Sequence, residues 1–437
     1  MILELSIGDT CIVKGGKRLP NGHQLLQSKT KHPYIRTRDL NDHKINFNEI
    51  ECITPETHKE IERYIVDKGN LIISIVGTIG SCAIIPDNLD KANLTENCAK
   101  IVPKDSSVDT NFLYYYLISK IGQNEIHKNT VGSTQLKLPL YGIKNIKIPS
   151  IDEKSQSRIA DFLSNLDKKI ELNKKQNETL EEIAKTLFKS WFIDFDPVRA
   201  KAEGRPTGLS KEISDLFPDS FEDSELGEIP YRWSTDEVGN ISECVGGGTP
   251  STKEPLFWEN GNNFWATPKD LSHLEKPFLL ETSKKITNLG IQKISSRVLP
   301  IGTVLISSRA PVGYVAVAEV PLSINQGFIA IKPSEILSKE YLLNWAQANV
   351  EKFKNRASGT TFAEISKQSF RPIKILLPDE KVMLAFSDLT KIIHKRIISS
   401  MKEINNLVDM RNILLPKLIS GELRITDAEK MIEEAGI

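Results

Sequence analysis

The sequence predicts an α+β fold in which one mixed strand-and-helix module occurs twice and each copy is followed by a long helix. Two observations lead to this prediction. Six short blocks of the first half recur in the second half in the same order. After each module comes a stretch without glycine or proline, Glu153 to Phe192 and Glu380 to Leu415, whose apolar residues repeat at heptad spacing.

The internal repeat shows in the positions of the matched blocks. Pro20 and Pro250, which end the first pair of blocks, lie 230 residues apart. The matched blocks are 7–20 with 238–250, 34–40 with 265–271, 71–84 with 304–317, 94–103 with 322–333, 131–138 with 358–365, and 147–154 with 376–381. Because all six pairs keep one order at offsets between 227 and 233, they indicate duplication of a structural unit.

Each module is expected to be dominated by strands, because short β-type runs alternate with Gly, Pro and Asn turns. The expected strands are 71–76, 83–86, 100–103 and 143–149 in the first module and 304–307, 314–318 and 328–333 in the second. One helix is expected in each module, near residues 111–118 and 339–349. Both copies therefore have the same mixed plan.

The two long helices carry an apolar seam of the coiled-coil type, with spacings of three and four residues. Asn173 and Asn177 interrupt the first seam with a polar layer of the kind that fixes register. We predict that the helices pair through Ile159, Leu163, Leu166, Ile170, Asn173, Leu180, Leu187, Phe386, Ile393, Ile397, Ile404, Leu407 and Leu414. The alternative is that each helix only covers its own module. A helix of about 40 residues spans about 60 Å, which is longer than one compact module and favours pairing.

Residues 194–232 are rich in Pro, Gly, Asp and Glu and show no sustained periodicity, so they are expected to link the two halves. The predicted organisation is a first module at 1–150, a first long helix at 151–193, the linker at 194–232, a second module at 233–378, and a second long helix at 379–425 with a tail to 437.

The composition restricts the class of protein. The 437 residues include 57 Lys and Arg and 57 Asp and Glu, a formal net charge of zero. Such a chain binds nucleic acid only if its basic residues gather on one face. The N-terminus lacks the features of a signal peptide, and no apolar run reaches the about 20 residues of a membrane helix. Five scattered cysteines without a CxxC pair argue against disulfides and zinc. We expect a soluble protein of the reducing cytoplasm.

Motifs that would carry catalysis or hold a cofactor are missing from the sequence. No GxxxxGK[ST] phosphate loop occurs, and Gly246–Gly248 runs into Pro250 instead of opening a helix. The seven histidines form no HxxxH or HxH pair, which argues against a metal site. Neither a nuclease-type carboxylate–lysine pair after Pro-Asp nor the Asn-Pro-Pro-Tyr type of loop that holds a flipped base is present. We therefore predict no catalytic residue and no metal or cofactor bound by this chain.

Basic, amide and hydroxyl side chains recur at matching places in the loops of both modules, as a DNA reader requires. Arg and Gln can read base edges, whereas Lys and hydroxyl groups more often contact phosphate. The candidate DNA-contacting residues are Lys14, Lys17, Arg18, Arg36, Arg38, Ser133, Thr134 and Gln135 in the first module and Lys253, Lys269, Arg309, Thr360 and Thr361 in the second. For any one of them a solvated surface position is the simpler explanation, so the interpretation rests on the group.

Three stretches of the chain resemble the specificity subunit of type I restriction-modification systems. They are LFKSWFIDFDPVRAKAEGRPTGL followed by LFPDSFEDSELGEIPYRW (187–233), the junction IPSIDEKSQSRIADFLSNLDKKIELNKKQNETLEEIA (148–184), and the ending LLPKLISGELRI (414–425). The resemblance covers nearly the whole chain, with its blocks in the expected order.

The resemblance implies two mixed α/β target-recognition domains separated by two long antiparallel, coiled-coil helices, with pseudo-two-fold symmetry. It implies that the ligand is double-stranded DNA, read as a bipartite target with a spacer set by the helix length. The target is expected to be asymmetric because the loops of the two modules differ. The family's recognition domains vary so much that no contact residue carries over.

The resemblance also implies the partners of the chain. Two methyltransferase subunits would dock on the helices, and motor-nuclease subunits would join through the complex. S-adenosylmethionine, ATP and Mg²⁺ would bind to those partners, and this chain would be non-catalytic.

Two other hypotheses remain open from the sequence. The chain could be a protein–protein scaffold in which paired helices hold two adaptor modules without DNA contact. Its binding would then be insensitive to salt, whereas contact with six or more phosphates costs about 10³-fold in affinity or more between 50 and 200 mM. The chain could also be an enzyme with a dispersed site, which turnover by the pure chain would establish.

Overall fold

The computed structural model describes residues 4–41, 43–359 and 363–434. The chain divides into two compact units. The first unit contains the chain up to Asn173 and from Lys402 onward, and the second contains Lys174–Met401. The division falls inside both long helices, so each unit holds one module and one part of each helix. The predicted domain boundaries stay predictions.

The first module is a set of short strands covered by short helices. Its strands are β1 (Glu4–Ser6), β2 (Cys11–Gly15), β3 (Tyr34–Ile35), β4 (Leu40–Asn41), β5 (Lys44–Ile45), β6 (Ile65–Val66), β7 (Leu71–Ser74), β8 (Cys82–Ile84), β9 (Ala92–Leu94), β10 (Cys98–Pro103) and β11 (Lys147–Pro149). Its helices are α1 (Ile7–Thr10), α2 (Pro55–Glu60), α3 (Thr110–Ile118), α4 (Lys120–Lys128) and α5 (Leu140–Asn145).

An antiparallel sheet in the order β2-β10-β7-β8 forms the centre of the first module. A second sheet has the order β3-β9-β6, with β3 parallel to β9. Leu71, Ile73 and Ile101 of the central sheet pack against Phe112 and Leu113 of α3, and all five side chains are buried. Burial of this apolar surface is what holds α3 on the sheet.

The long helix α6 (Glu153–Phe192) follows, and after it come α7 (Asp196–Ala202), α8 (Lys211–Ser214), β12 (Phe221–Ser224) and β13 (Gly227–Pro230). The expected linker is therefore folded. Val198 and Phe217 are buried in the core of the second unit, where the Phe217 ring lies 4.9 Å from that of Trp191 between ring centroids. The segment shows no periodicity because single, widely spaced apolar residues anchor it, so a pattern search finds only its Pro and Gly.

The second module repeats the plan of the first. Its strands are β14 (Ser234–Glu237), β15 (Cys244–Gly246), β16 (Asn263–Ala266), β17 (Phe278–Leu279), β18 (Lys284–Ile286), β19 (Val304–Ser307), β20 (Val315–Ala318), β21 (Leu322–Ile324), β22 (Phe328–Ile331) and β23 (Lys374–Leu377). Its helices are α9 (Val238–Ile241), α10 (Pro268–Ser272), α11 (Asn288–Ile291), α12 (Lys339–Ala348), α13 (Val350–Asn355) and α14 (Lys367–Phe370). The long helix α15 (Glu380–Ile419) and α16 (Ile425–Glu434) complete the chain. No helix in the described ranges combines the length and apolar character needed to cross a membrane.

The same hydrogen-bonded frame occurs in both modules. The order β15-β22-β19-β20 corresponds to β2-β10-β7-β8, and the parallel pair β16–β21 corresponds to β3–β9. Ser74 and Ser307 end the corresponding strands β7 and β19. In each case the hydroxyl donates to a carbonyl four residues later and accepts from an N–H group seven residues later. The predicted duplication is confirmed down to single hydrogen bonds.

One predicted strand is wrong over most of its length. Residues 143–149 were expected to be extended, but Leu140–Asn145 is helix α5 and only Lys147–Pro149 pairs, with β1. Ile143 and Ile146 are buried against the core of the first module. The apolar run therefore reflects burial of a helix and its C-terminal turn, which a short window cannot distinguish from a strand.

In the first unit the beginning of α6 lies antiparallel to the end of α15. Ion pairs join Asp167 to Arg411 at 2.6 Å and Lys169 to Glu403 at 3.1 Å, so the second helix runs backward as the first advances. Leu166, Ile170 and Leu407, three residues of the predicted seam, form a buried cluster. Ile159, Leu163 and Leu414 instead join the core of the first module.

In the second unit the end of α6 lies against the beginning of α15, again antiparallel. The Phe188 and Phe386 ring centroids are 5.9 Å apart, and Glu181, earlier in α6, interacts with His394, later in α15. Of the predicted pairing residues, Phe386 and Ile397 are buried in the core of this unit, and Leu180, Leu187 and Ile393 pack against it. The predicted set as a whole stays a prediction. Ala184, Phe188, Thr390 and His394 are buried.

Leu180, Leu187, Ile393 and Ile404 are only half-buried. Ala184 and Trp191 continue the buried heptad of Leu163 and Ile170, whereas Phe188 is buried beside the half-buried Leu187. Asn173 and Asn177 are both buried, as a polar layer requires, and within the described residues one amide atom of each has no hydrogen-bond partner.

His394 makes the stability of the second unit depend on pH. Burial, together with the charge of Lys339, lowers its pKa to about 4, and Glu181 opposes this only in part. The unfolded chain therefore takes up this proton at a higher pH than the folded chain does. Stability should be fully present above about pH 6.5 and should fall by roughly 3 kcal/mol as the pH drops to 4. We expect His394→Gln to reduce the dependence of the free energy of unfolding on pH between about 6.5 and 4, as measured by urea unfolding at several pH values. The same dependence in the variant and the wild type would contradict this assignment.

Candidate nucleic-acid interface

The candidate site of the first module lies at one end of its central sheet. Because β2, β10 and β7 are antiparallel neighbours, the end of β2 at Gly15, the start of β10 at Cys98 and the end of β7 at Ser74 lie together. The loops 16–19, 94–97 and 75–79 leave the sheet at this end. Hydrogen bonds join them, from Lys17 N to Leu94 O at 2.8 Å and from Ile75 N to Asn97 O at 2.8 Å.

A fourth loop, residues 131–137, reaches the same end of the sheet. Leu138 N donates to Ile75 O at 2.9 Å, and Lys137 forms isolated bridges with both Val76 and Val131. The candidates Ser133, Thr134 and Gln135 are exposed at its tip. The fold therefore brings these predicted residues next to the loop that carries Arg18.

A cavity of about 310 Å³ opens between the loops. It is lined by Arg18, Leu19, Tyr34, Arg36, Thr37, Arg38, Thr95 and Asn97. Three of the predicted arginines thus surround one concave, polar surface. Lys17 lies beside it, exposed, with its Nζ 6.0 Å from the centre of the Tyr64 ring, and Lys14 is exposed on β2.

All three nitrogens of the Arg36 guanidinium donate hydrogen bonds to protein oxygens. Nε and Nη2 donate to Asp39 at 3.2 and 3.1 Å, Nη2 also donates to the Glu49 carbonyl, and Nη1 donates to Glu51. Asp39 is fully buried and accepts the backbone N–H of Arg36 as well. DNA contact by Arg36 stays a prediction, but this geometry favours a role in holding the loop.

Arg18 and Arg38 are more exposed than Arg36, with side-chain exposures of 80% and 61% against 14%. Arg18 Nε donates to Glu96 Oε1 at 2.6 Å, and Arg38 Nη2 donates to Glu51 Oε2 at 2.6 Å. Burial alone would raise the pKa of Glu96, but hydrogen bonds from Arg18 and Thr95 outweigh it, and the pKa lies below the usual range. Glu96 is therefore a stable anion beside the cavity.

The second module presents the same end of its sheet. Gly248 N donates to Ile324 O at 3.0 Å, and Ser308 N donates to Gly327 O at 2.8 Å, which repeats the bonds of Lys17 and Ile75. In place of the Arg36–Asp39 pair, Thr267 N and Oγ1 donate to Asp270 at 2.7 and 2.8 Å. Lys269, two residues after Thr267, corresponds to Arg38 and is exposed.

The remaining candidates of the second module lie in its loops. Arg309 is half-buried, with its Nη1 3.8 Å from Glu364 Oε2, and Lys253 is exposed. Thr360 and Thr361 lie outside the described residues. Before and after them in sequence, Ser358 and Glu364 join by mutual backbone hydrogen bonds. That closure corresponds to Val131 and Lys137 in the first module.

Sequence reasoning missed three side chains of this surface: Glu96, Thr249 and Gln326. Thr249 Oγ1 donates to Gln326 Oε1 across the second module, as Arg18 Nε donates to Glu96 across the first. The aligned blocks do indicate these residues, because polar residues of different type occupy corresponding positions of the repeat. They were missed because only basic residues and the residues of one loop were considered as candidates.

Comparison with known proteins extends these observations. A family model described as type I restriction modification DNA specificity domain matches residues 4–182 and again 230–405. The HindI type I restriction enzyme specificity subunit of Haemophilus influenzae is 28% identical over 440 residues, which is 89% of this chain and 94% of the relative. The MjaIX specificity subunit of Methanocaldococcus jannaschii is 27% identical over 402 residues, 90% of this chain and 87% of the relative.

The crystal structure of a type I restriction-modification S subunit from M. genitalium superposes with a TM-score of 0.58 at 15% identity, covering 95% of each chain. This similarity supports the α+β fold with duplicated modules and long helices. The family consists of specificity subunits, which are the non-catalytic components of these systems. Because the family model matches both of its halves, the chain belongs to the type I restriction-modification DNA specificity family and is a specificity subunit.

Proposed function

We propose that the chain reads a bipartite, asymmetric DNA target, each module contacting one half-site through the loops at the sheet end described above. One observation carries the proposal: the same sheet end in both modules bears polar and basic loops on one shared frame. Lys17 and Arg38 are exposed there in the first module, and Lys269 in the second. A neutral chain that gathers basic side chains in this way has the electrostatic footprint of a DNA reader.

Asymmetry follows from the side chains on the shared frame. Arg18 and Glu96 occupy the positions that Thr249 and Gln326 occupy in the second module. Modules with different donors and acceptors at one place should recognise different bases. The two half-sites are therefore proposed to differ in sequence.

The long helices are proposed to bind methyltransferase subunits of the complex. Each carries large apolar side chains that its own unit leaves uncovered. Ile392 and Leu384 of α15 are 70% and 55% exposed, and Leu172 of α6 is 62% exposed. Apolar groups exposed on otherwise polar helices mark a surface that binds protein.

The rest of the proposed assembly concerns partner subunits and location. Methyltransferase subunits, two in number, would supply S-adenosylmethionine chemistry, and motor-nuclease subunits would use ATP and Mg²⁺. A cytoplasmic location is part of the proposal. It is supported by the five cysteines, all of which are buried and unbridged, as in a reducing compartment.

An exchange of modules tests DNA reading. The chain is coexpressed with its methyltransferase subunits, and residues 233–378 are replaced by those of a relative with another target. Sequencing of modified bases should show one half of the methylated target changed and the other retained. Unchanged methylation would overturn the proposal.

The same complex tests docking and the scaffold alternative. Ile392→Asp should abolish copurification of the methyltransferase subunits, whereas Lys395→Asp, another exposed position of α15, should not. DNA binding by the complex should weaken about 10³-fold or more between 50 and 200 mM salt if six phosphates are contacted. Salt-independent binding would favour a scaffold that does not contact DNA.

A further inference from the structure

One position of the repeat holds a pair of interacting side chains in each module, and the two pairs differ in chemistry. Arg18 Nε and Glu96 Oε1 are 2.6 Å apart, and Thr249 Oγ1 donates to Gln326 Oε1 in the corresponding place. The first pair joins the loop after β2 to the loop before β10, and the second pair joins the loop after β15 to the loop before β22. Both therefore lie at the sheet end that faces the proposed DNA.

The backbone beneath these pairs is held at one geometry. A Cβ atom on Gly16 would lie 2.1 Å from the Thr95 carbonyl oxygen, and one on Gly247 would lie 2.0 Å from the Ile324 carbonyl oxygen. Only glycine permits this approach of the two loops, and both modules have it. The side chains next to the glycines can therefore differ between modules without moving the loops.

The hydrogen-bonding groups of the first pair are only partly used. Arg18 donates through Nε, and within the described residues neither of its terminal nitrogens has a protein acceptor, in contrast to Arg36. Glu96 accepts from Arg18 through Oε1 and from Thr95 through Oε2, and each oxygen has a second lone pair. Arg18 can thus offer two parallel donors to a ligand in the 310 Å³ cavity that it lines, and Glu96 can offer an acceptor beside it.

The second pair has different groups to offer. Thr249 and Gln326 are both exposed, and the Thr249 hydroxyl donates to the Gln326 side-chain oxygen. This bond leaves the two amide hydrogens and one lone pair of the Gln326 side chain. Together they form the donor and acceptor of a planar amide, held in orientation by the threonine.

We propose that these pairs are base readers: Arg18 with Glu96 reads a G·C pair in one half-site, and Gln326 with Thr249 reads an A·T pair in the other. The inference rests on the proposed function. Arginine donates to O6 and N7 of guanine in a bidentate manner, and a carboxylate accepts from N4 of cytosine. Glutamine pairs in the same way with N6 and N7 of adenine, and a threonine methyl group can contact the thymine methyl.

The test transfers one pair onto the other module. Arg18→Thr with Glu96→Gln is introduced into the chain within its methyltransferase complex, and modified bases are mapped. We expect one G·C position in one half-site to be lost or replaced by A·T, with the other half-site unchanged. Affinity for the original target should fall about 5- to 150-fold, the effect of one good bidentate contact.

A matched control is available in the same chain. Arg205 Nε and Glu203 Oε2 are also 2.6 Å apart and exposed, but they belong to the segment 194–232, outside the sequence of both modules. Arg205→Thr with Glu203→Gln should leave target and affinity as in the wild type. Since exposed ion pairs contribute little to the free energy of folding, both double variants should have the melting temperature of the wild type.

The outcomes separate this inference from the proposed function. If module exchange alters a half-site but the Arg18/Glu96 double variant methylates the original target, the inference is overturned and the function stands. If the double variant bound all DNA sequences more weakly by the same factor, the pair would be assigned to phosphate contact, and the inference would also be overturned. The inference would also be overturned if the mapped target had no G·C pair in the half-site that the first module reads.

Discussion

Leu166→Asp should destabilise the first unit by about 3–5 kcal/mol, because it places a charge without a partner in a buried apolar cluster. Leu166 is 6% exposed and contacts a cluster formed with Ile170 and Leu407. The new carboxylate must either stay unpaired or take up a proton, and both are unfavourable. Urea unfolding followed by far-UV circular dichroism gives the loss. Hydrogen exchange should show faster exchange in the part of α6 that belongs to the first unit.

Leu172→Asp provides the control for this change. Leu172 lies on the same helix but is 62% exposed, so the same substitution should alter stability by no more than about 0.5 kcal/mol. Equal unfolding midpoints for the two variants would show that burial in this cluster does not hold the helices together.

Phe386→Ala should destabilise the second unit by about 3–5 kcal/mol. The Phe386 side chain is fully buried, and its ring centroid lies 5.0 Å from that of Phe192, 5.9 Å from Phe188 and 6.1 Å from Trp191. The truncation leaves a cavity among rigid aromatic rings that cannot close around it. All five tryptophans of the chain lie between residues 191 and 345, so tryptophan fluorescence follows this unit directly during denaturation.

Leu384→Ala, two residues before Phe386 on α15, is the matched control. Leu384 is 55% exposed, and its truncation should shift the fluorescence midpoint only slightly. A loss of less than about 1 kcal/mol for Phe386→Ala would mean that the aromatic cluster relaxes to fill the space.

The repeat and the two helices could be predicted because both depend on periodic patterns. The duplicated blocks keep their order, and α6 and α15 begin at the predicted residues, Glu153 and Glu380. Around Leu166 the buried cluster with Ile170 and Leu407 is made of residues that the heptad spacing had placed on the seam. Around Leu187 the heptad spacing did not indicate that the next residue, the larger Phe188, would be the more deeply buried one. The heptad spacing of apolar residues does not show which large side chain will be the more deeply buried in a particular contact.

The candidate site was predictable in part for a different reason. Loop position and charge identified Arg18 and Arg38, which line the cavity together. The same reasoning could not rank them against Arg36, which is 14% exposed and donates through all three of its nitrogens to protein oxygens. How many donors of an arginine are used by the protein depends on its burial and on residues distant in sequence, which are properties of the tertiary structure.

The serine hydroxyls at Ser74 and Ser307 have a consequence for how new DNA preferences arise. Each hydroxyl bonds to a backbone carbonyl and a backbone N–H group of its loop. Exposed side chains at the tip of the loop can therefore change while these two hydrogen bonds remain. A protein built in this way can acquire a different target by a few substitutions, with no repair of its interior required.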